Sequence, residues 1–176
     1  MTFPTVKTSK LTYEQRYSLG KKAETDRKGI VDAICGVSLT PTPERFAPWD
    51  FESATVVAEL KTRTNSSRDY DTTLIDYIKI ERALQEKRDV CFCFNFTDCI
   101  MYCKFSKERF EKYRTHTFAL VCETDSGHEM GNREVSKADP SLKRLVKRVY
   151  IPISHLSLAG GERCPGQITR CLLRND

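Results

Sequence analysis

A short apolar run with two charges near its end dominates the first half of the chain. Residues 55–62 (TVVAELKT) are rich in β-branched and apolar side chains, which predicts a strand. Side chains two positions apart in a strand share a face, so Glu59 and Lys61 point the same way. The opposite face carries apolar residues, namely Val56, Ala58 and Leu60. Buried charge is costly unless it is paired or binds a metal. The simplest explanation is a salt bridge at an exposed strand end.

A long helix is predicted upstream of this strand. Thr12 followed by Gln15 has the form of a capping box, which predicts a helix start, and Gly36 ends the pattern. Gly29 is a candidate end or kink. The inward stripe at helical spacing comprises Tyr13, Tyr17, Gly20, Glu24, Arg27 or Lys28, Val31 and Cys35. A carboxylate on a packing stripe needs a partner. A local Lys or Arg at the edge of the stripe is the simplest partner for Glu24.

Extended segments are predicted on both sides of the charged strand. Residues 37–46 contain two prolines, which suits an edge strand or an extended loop. Residues 50–52 are predicted to pair with residues 55–62, and residues 65–69 have loop composition. A second helix is predicted from Asp71 or Thr72 to Lys87, with one side formed by Leu74, Tyr77, Ile78, Glu81 and Leu84.

The next two strands form a predicted hairpin. Residues 90–96 and 99–105 are joined by Thr97-Asp98, and both of their faces are apolar. Such a pair is expected inside a sheet that is covered on both sides.

The last third of the chain is predicted to combine short helices and strands with a long loop and a tail. Ser106 caps a short helix to Tyr113, and residues 117–122 form a strand. Residues 123–141 are polar and glycine-containing, which predicts a mobile loop with a binding or lid role. Residues 142–156 are predicted to be a helix that turns into a last strand, and residues 157–176 a weakly structured tail.

Length and charge narrow the class of protein. A chain of 176 residues is expected to form one domain over residues 1–176, with a core at about residues 12–122. The net charge of +5 modestly favours a polyanionic partner. No membrane-spanning run or apolar signal core is evident, so the expected location is intracellular, cytoplasmic or nuclear, and not secreted. The eight cysteines contain no CxxC pair and are expected to be reduced core thiols rather than zinc ligands.

The order of these features resembles the PD-(D/E)XK nuclease superfamily. The matching residues are Gly20-Lys21-Lys22-Ala23-Glu24 on the first helix, then Asp50, then Glu59-Leu60-Lys61 nine residues later. The resemblance covers about residues 12–105. In one departure, the proline of the motif is Pro48, and Trp49 separates it from Asp50. The resemblance implies an α/β fold with a restriction-endonuclease-like core, a central mixed sheet flanked by helices in αβββαβ order.

The same resemblance implies a magnesium-dependent nuclease, with Mn²⁺ able to substitute. Asp50, Glu59 and the main-chain carbonyl of Leu60 would hold the metal. Lys61 would orient or deprotonate the attacking water, or stabilise the developing charge. Glu24 would bind a second metal or hold a metal-bound water. A small nuclease of this kind suits a phage, a virus or a DNA-repair pathway.

The expected partner is nucleic acid, with DNA preferred. Candidate contacts to the phosphate backbone are Arg63, Lys79, Arg82, Lys143, Arg144, Lys147 and Arg148. Solvated polar faces are the alternative for the helix and strand members of this set. Whether a homodimer is needed for paired cuts stays open, as do the choice of DNA or RNA and of endonuclease or exonuclease.

Two further hypotheses remain. One is a non-catalytic nucleic-acid-binding module on the same fold. The other is an unrelated α/β protein in which Glu59 and Lys61 form a surface salt bridge. The second predicts that Glu24, Asp50 and Glu59 lie far apart.

Overall fold

The fold is α/β, with two sheets and three helices in the part of the chain that a computed structural model describes, residues 13–44, 47–123, 128–130 and 143–160. The helices are α1 (Tyr13–Cys35), α2 (Tyr77–Gln85) and α3 (Lys107–Glu111). The strands are β1 (Thr40–Pro41), β2 (Phe51–Glu52), β3 (Val56–Thr62), β4 (Thr72–Asp76), β5 (Asp89–Asn95), β6 (Ile100–Lys104), β7 (Thr115–Glu123), β8 (His128–Met130), β9 (Lys143–Pro152) and β10 (Ser157–Leu158). None of the described helices is both long enough and apolar enough to cross a bilayer.

The first sheet is mixed and has the order β1-β2-β3-β5-β6-β10. β3 and β5 run parallel, and α2 lies between them in the chain, while the other neighbours pair antiparallel. The predicted strand pair, the hairpin of β5 and β6, and the proline-bearing edge strand β1 are confirmed. The second sheet is wholly antiparallel, with the order β4-β9-β7-β8.

The first helix is continuous from Tyr13 to Cys35, so Gly29 neither ends nor breaks it. It ends where Gly36 adopts a φ of 72°, a backbone conformation that favours glycine. Val31 is fully buried in a small core cluster with Leu39 and Phe51, which fixes α1 against one face of the first sheet.

Two hydrophobic clusters cover the two faces of the first sheet. Phe92 and Phe94 of β5 lie in the larger cluster, whereas Cys91 and Cys93 lie in the smaller one beside α1. The hairpin is therefore covered on both faces, as predicted. These two thiols and that of Cys103 are free and buried, which agrees with their expected role as small core residues.

The second helix begins later than predicted, because Thr72–Asp76 is a strand. β4 is rich in β-branched residues and pairs antiparallel with β9, and these distant backbone hydrogen bonds outweigh the local helical pattern. The buried residues of α2 lie off the predicted side that carries Ile78 and Leu84. Ile78 and Leu84 are 50% and 47% exposed, while Ile80 and Ala83 are buried.

The segment predicted as a helix turning into a strand is a strand from Lys143 to Pro152, followed by a single 3-10 turn. β9 lies between β4 and β7, so its backbone hydrogen bonds are satisfied by neighbours on both sides. Its Val149 and Ile151 enter the larger cluster, beyond the predicted core limit at residue 122.

The predicted mobile loop and tail also contain strands. β8 lies inside the 123–141 segment and pairs with β7, and β10 pairs with β6. The predicted loop residues 124–127 and 131–141 lie outside the described residues, as do tail residues 161–176.

Candidate active site

The two faces of β3 differ in chemistry as the sequence predicts. Ala58 and Leu60 lie in the smaller cluster beside α1, and Val57 lies in the larger cluster on the opposite face. Glu59 shares the face of Val57 and is only 2% exposed. A carboxylate at this depth requires compensating charge or hydrogen bonds.

Two lysines provide that compensation. Oε1 of Glu59 lies 2.7 Å from Nζ of Lys61, and its Oε2 lies 2.6 Å from Nζ of Lys79. The simple salt bridge between Glu59 and Lys61 is thus present, but its carboxylate lies in the protein interior and not at an exposed strand end. Each oxygen of the carboxylate carries its own ammonium partner.

Lys79 reaches this position from the first turn of α2. Its ammonium also donates a 2.7 Å hydrogen bond to the carbonyl of Pro48 and lies 5.7 Å from the ring centroid of Trp49. The side chain is 13% exposed. Lys79 was predicted to contact the substrate or to lie on a solvated helix face, and its contact with Glu59 was not predicted. The available signal was a buried carboxylate on β3 that needed a second cation.

Asp50 lies beside the same strand, immediately before β2. Its Oδ2 accepts a 2.8 Å hydrogen bond from the main-chain N–H of Leu60. In the antiparallel pairing Phe51 is opposite Ala58, so one further step places Asp50 opposite Glu59. The strand register therefore brings the two predicted metal ligands together.

The electrostatics of Asp50 agree with this proximity. Burial raises the pKa of its carboxyl to about 7, and the charges of Glu59 and Glu24 act in the same direction. The hydrogen bond from Leu60 and the charge of Lys79 oppose that rise. Burial is therefore the largest cause of the raised pKa of Asp50, and the neighbouring carboxylates add to it.

Lys61 is charged in spite of its surroundings. Burial acts to lower the pKa of its ammonium, but Glu59, through its charge and its hydrogen bond, outweighs burial and the pKa is raised. The charges of Asp76 and Asp50 add to this effect. Lys61 is therefore a fixed positive charge next to the two carboxylates.

Glu24 enters the site from α1. Its Oε2 forms a 2.7 Å ion pair with Nζ of Lys21, one helical turn earlier, and its side chain is 15% exposed. This local lysine is the kind of partner that the simpler interpretation of Glu24 requires. The hydrogen bond that Lys21 donates to Glu24 is also the main cause of the raised pKa of Lys21. Glu24 still contributes negative charge at Asp50.

The carboxylate oxygens of this site are the kind of ligand that magnesium prefers. In the part of the chain that the structure describes, no group of three His, Cys, Asp or Glu side chains is arranged to hold a metal ion. Magnesium is usually held by one or two carboxylates together with waters and substrate phosphates, so Asp50 and Glu59 meet that smaller requirement. Burial and the negative charge of Glu59 raise the pKa of Asp50, and a nearby cation would favour its charged form.

Arg63 connects the end of β3 to β4. Its Nε donates a 3.0 Å hydrogen bond to Oγ1 of Thr73, and its guanidinium also donates to the carbonyl of Leu74 and lies 5.6 Å from the ring centroid of Phe94. Burial lowers its pKa to about 10. These contacts give Arg63 a structural role between the two sheets, in addition to its predicted role in phosphate binding.

The other predicted basic contacts are spread along β9 and α2. Nε of Arg148 lies 3.2 Å from Oδ1 of Asp76, and the exposed Lys147 places Nζ 3.7 Å from the ring centroid of Tyr77. Arg82 is half-buried on α2. Lys143 and Arg144 belong to β9, but their side chains lie outside the described residues.

Fold and site together define an α/β protein in which carboxylates and lysines surround the buried Glu59 of the mixed sheet. Comparisons with protein-family models, curated proteins and solved structures found no match.

Proposed function

We propose that the protein is a metal-dependent nuclease of the PD-(D/E)XK type, and most simply a DNA endonuclease. The observation that carries the proposal is the pairing of Asp50 with the E-x-K strand. The main chain of Leu60 fixes the Asp50 carboxylate, whose pKa is raised by burial and then by the charge of Glu59, and Glu59 contacts Lys61. A structural salt bridge alone has no need of the additional, half-buried carboxylate of Asp50.

The element order also supports the proposal. α1, β1, β2, β3, α2 and β5 follow one another as in the restriction-endonuclease-like core, and β3 is parallel to β5 after the α2 crossover. β4 is an addition to that order, and it belongs to the second sheet.

In this mechanism Asp50, Glu59 and the carbonyl of Leu60 would hold Mg²⁺, and Mn²⁺ could substitute for it. A bound magnesium ion would neutralise charge on the phosphate and lower the pKa of a coordinated water. Lys61 orients the attacking water or stabilises charge that develops on the phosphate. Glu24 adds negative charge from the helix side and favours cation binding at Asp50.

One observation favours a non-catalytic nucleic-acid-binding module instead. Both oxygens of Glu59 already have lysine partners, so this carboxylate is neutralised without a metal. An exonuclease on the same site is the other alternative. Both alternatives make distinct predictions in a cleavage assay.

The test is cleavage of labelled single-stranded, duplex, flapped and branched DNA, and of RNA, in Mg²⁺, in Mn²⁺ and in EDTA. We expect cleavage with either metal and none in EDTA. Lys61→Met keeps the aliphatic stem and is expected to lower the rate by about 10²- to 10⁴-fold. The exposed Lys112 supplies a matched control, because Lys112→Met leaves the site intact.

Two outcomes contradict the proposal. If folded Lys61→Met cleaves as fast as the wild type, the site assignment is wrong. If the wild type binds every substrate without turnover in either metal, the binding-module alternative replaces the nuclease.

A further inference from the structure

We propose that Lys79 is a positioning residue that acts as a built-in cation at Glu59, so that the site takes one divalent ion and not two. The inference rests on the proposed function, because it concerns the same metal site. It identifies a residue from α2 that the E-x-K motif does not contain.

The surroundings of the Lys79 ammonium resemble those of a bound cation. Two oxygens contact it, Oε2 of Glu59 at 2.6 Å and the carbonyl of Pro48 at 2.7 Å. The ring of Trp49 lies 5.7 Å away and adds a cation–π contact. The side chain is 13% exposed, so water contributes little to its solvation. The ammonium is therefore held chiefly by protein groups.

Lys79 also connects the two segments that carry the predicted metal ligands. Pro48 precedes Asp50 by two residues, and Glu59 lies on the neighbouring strand β3. A single ammonium thus bridges the main chain that leads to Asp50 and the side chain of Glu59. This bridge holds both segments in place before any metal binds, which is the expected role of a supporting residue around a metal site.

The charge balance limits how many divalent ions the site accepts. Three carboxylates interact here, those of Glu24, Asp50 and Glu59. Three lysines pair with two of them, Lys21 with Glu24, and Lys61 and Lys79 with Glu59. Oδ2 of Asp50 accepts a hydrogen bond from the Leu60 N–H, and none of these three lysines is ion-paired with it. One divalent ion would supply the positive charge that Asp50 lacks, whereas a second ion at Oε2 of Glu59 would have to displace Lys79.

The role of Lys79 predicts a change in metal stoichiometry. Lys79→Met removes the ammonium but keeps the length of the side chain, and it leaves Oε2 of Glu59 without its cation. We expect the wild type to bind one Mn²⁺ per chain and Lys79→Met to bind two, measured by equilibrium dialysis with Mn²⁺ alone. Lys79→Arg keeps the charge and is expected to retain one Mn²⁺.

Trp49 provides a second measurement, because it is the only tryptophan in the chain. We titrate Mg²⁺ into both proteins and compare the changes in Trp49 fluorescence. If Lys79 stays at Glu59 when metal binds, the change in the wild type is much smaller than the change in Lys79→Met. An equally large change would show that metal displaces Lys79 and would overturn the inference. This measurement needs only the folded wild type and one folded variant, which circular dichroism verifies.

The outcomes separate the two proposals. Two Mn²⁺ ions per wild-type chain would overturn the role of Lys79 and leave the nuclease proposal standing. No Mn²⁺ binding by the wild type would overturn both. One Mn²⁺ in both the wild type and folded Lys79→Met would show that Lys79 does not limit the stoichiometry, and the inference would fail.

Discussion

The main-chain N–H of Leu60 donates a 2.8 Å hydrogen bond to Oδ2 of Asp50. This contact attaches the residue before β2 to the middle of the E-x-K strand, so the Asp50 carboxylate is oriented by backbone and not by a flexible side chain. This hydrogen bond favours the charged form of Asp50, but burial and the charge of Glu59 outweigh it and raise the pKa of the carboxyl to about 7.

The stability of the metal-free protein is expected to depend on pH through Asp50. Its pKa rises from 3.8 to about 7 on folding, so the native state binds a proton more tightly than the unfolded state. That contribution to stability is complete below the unfolded pKa and is lost as pH rises through about 7. Asp50→Asn removes the titration and retains an oxygen for the Leu60 N–H.

We therefore expect Asp50→Asn to become more stable relative to the wild type as pH rises from 5 to 8, by about 2 to 3 kcal/mol. Urea unfolding of both proteins in EDTA at the two pH values measures this change. A difference between the proteins that is the same at pH 5 and pH 8 would refute the raised pKa of Asp50.

Glu59→Gln is expected to destabilise the protein by about 3 kcal/mol, because it leaves Lys61 and Lys79 without a buried counter-charge. Glu24→Gln breaks a more exposed pair within α1 and is expected to cost roughly 1 kcal/mol or less. Denaturant midpoints of the two variants give the comparison. Equal losses would mean that Glu59 is not the central acceptor of this cluster.

Two glycines of the first helix provide a matched pair of substitutions. Gly29 lies within α1 and an added Cβ meets nothing within 4 Å, so Gly29→Ala is expected to stabilise by roughly 0.5 to 1 kcal/mol. Gly36 has a φ of 72°, so Gly36→Ala is expected to destabilise by about 1 to 2 kcal/mol although space is available. Thermal melts should show shifts of opposite sign, and a destabilising Gly29→Ala would argue for a break in α1.

Among the β9 side chains that the structure describes, Lys147 is an exposed basic residue, and its ammonium lies over Tyr77 at the start of α2. Lys147→Met is expected to weaken binding of DNA and to reduce the salt-dependence slope by about 1. Fluorescence anisotropy at several salt concentrations measures the slope, with the exposed Lys112→Met as the control. An unchanged slope for Lys147→Met would remove β9 from the binding surface.

Local sequence patterns were sufficient to predict the helices and strands that lie next to the site. α1, the pairing of β2 with β3, and the hairpin of β5 and β6 follow from capping residues, alternation and short connections. The charged face of β3 was predictable for the same reason, because its two-residue period is visible in the sequence itself.

The predictions that were wrong concern segments whose structure depends on contacts between distant parts of the chain. β4 and β9 are strands because they pair with each other across about 70 residues, and the local patterns in each segment favoured helix. The late start of α2 at Tyr77 in turn determines which side of the helix faces β3. The contact between Lys79 and Glu59 depends on that start, so it was not predictable from spacing.

The nuclease proposal is tested most directly by cleavage of covalently closed circular DNA, single-stranded and duplex, in Mg²⁺ by the wild type and by Asp50→Asn. Circles have no ends, so cleavage requires an endonuclease. We predict that the wild type nicks or opens at least one of the circles and that folded Asp50→Asn leaves both intact. Circles left intact by the wild type would contradict the proposed endonuclease, and circles cut equally fast by Asp50→Asn would contradict this account of the site.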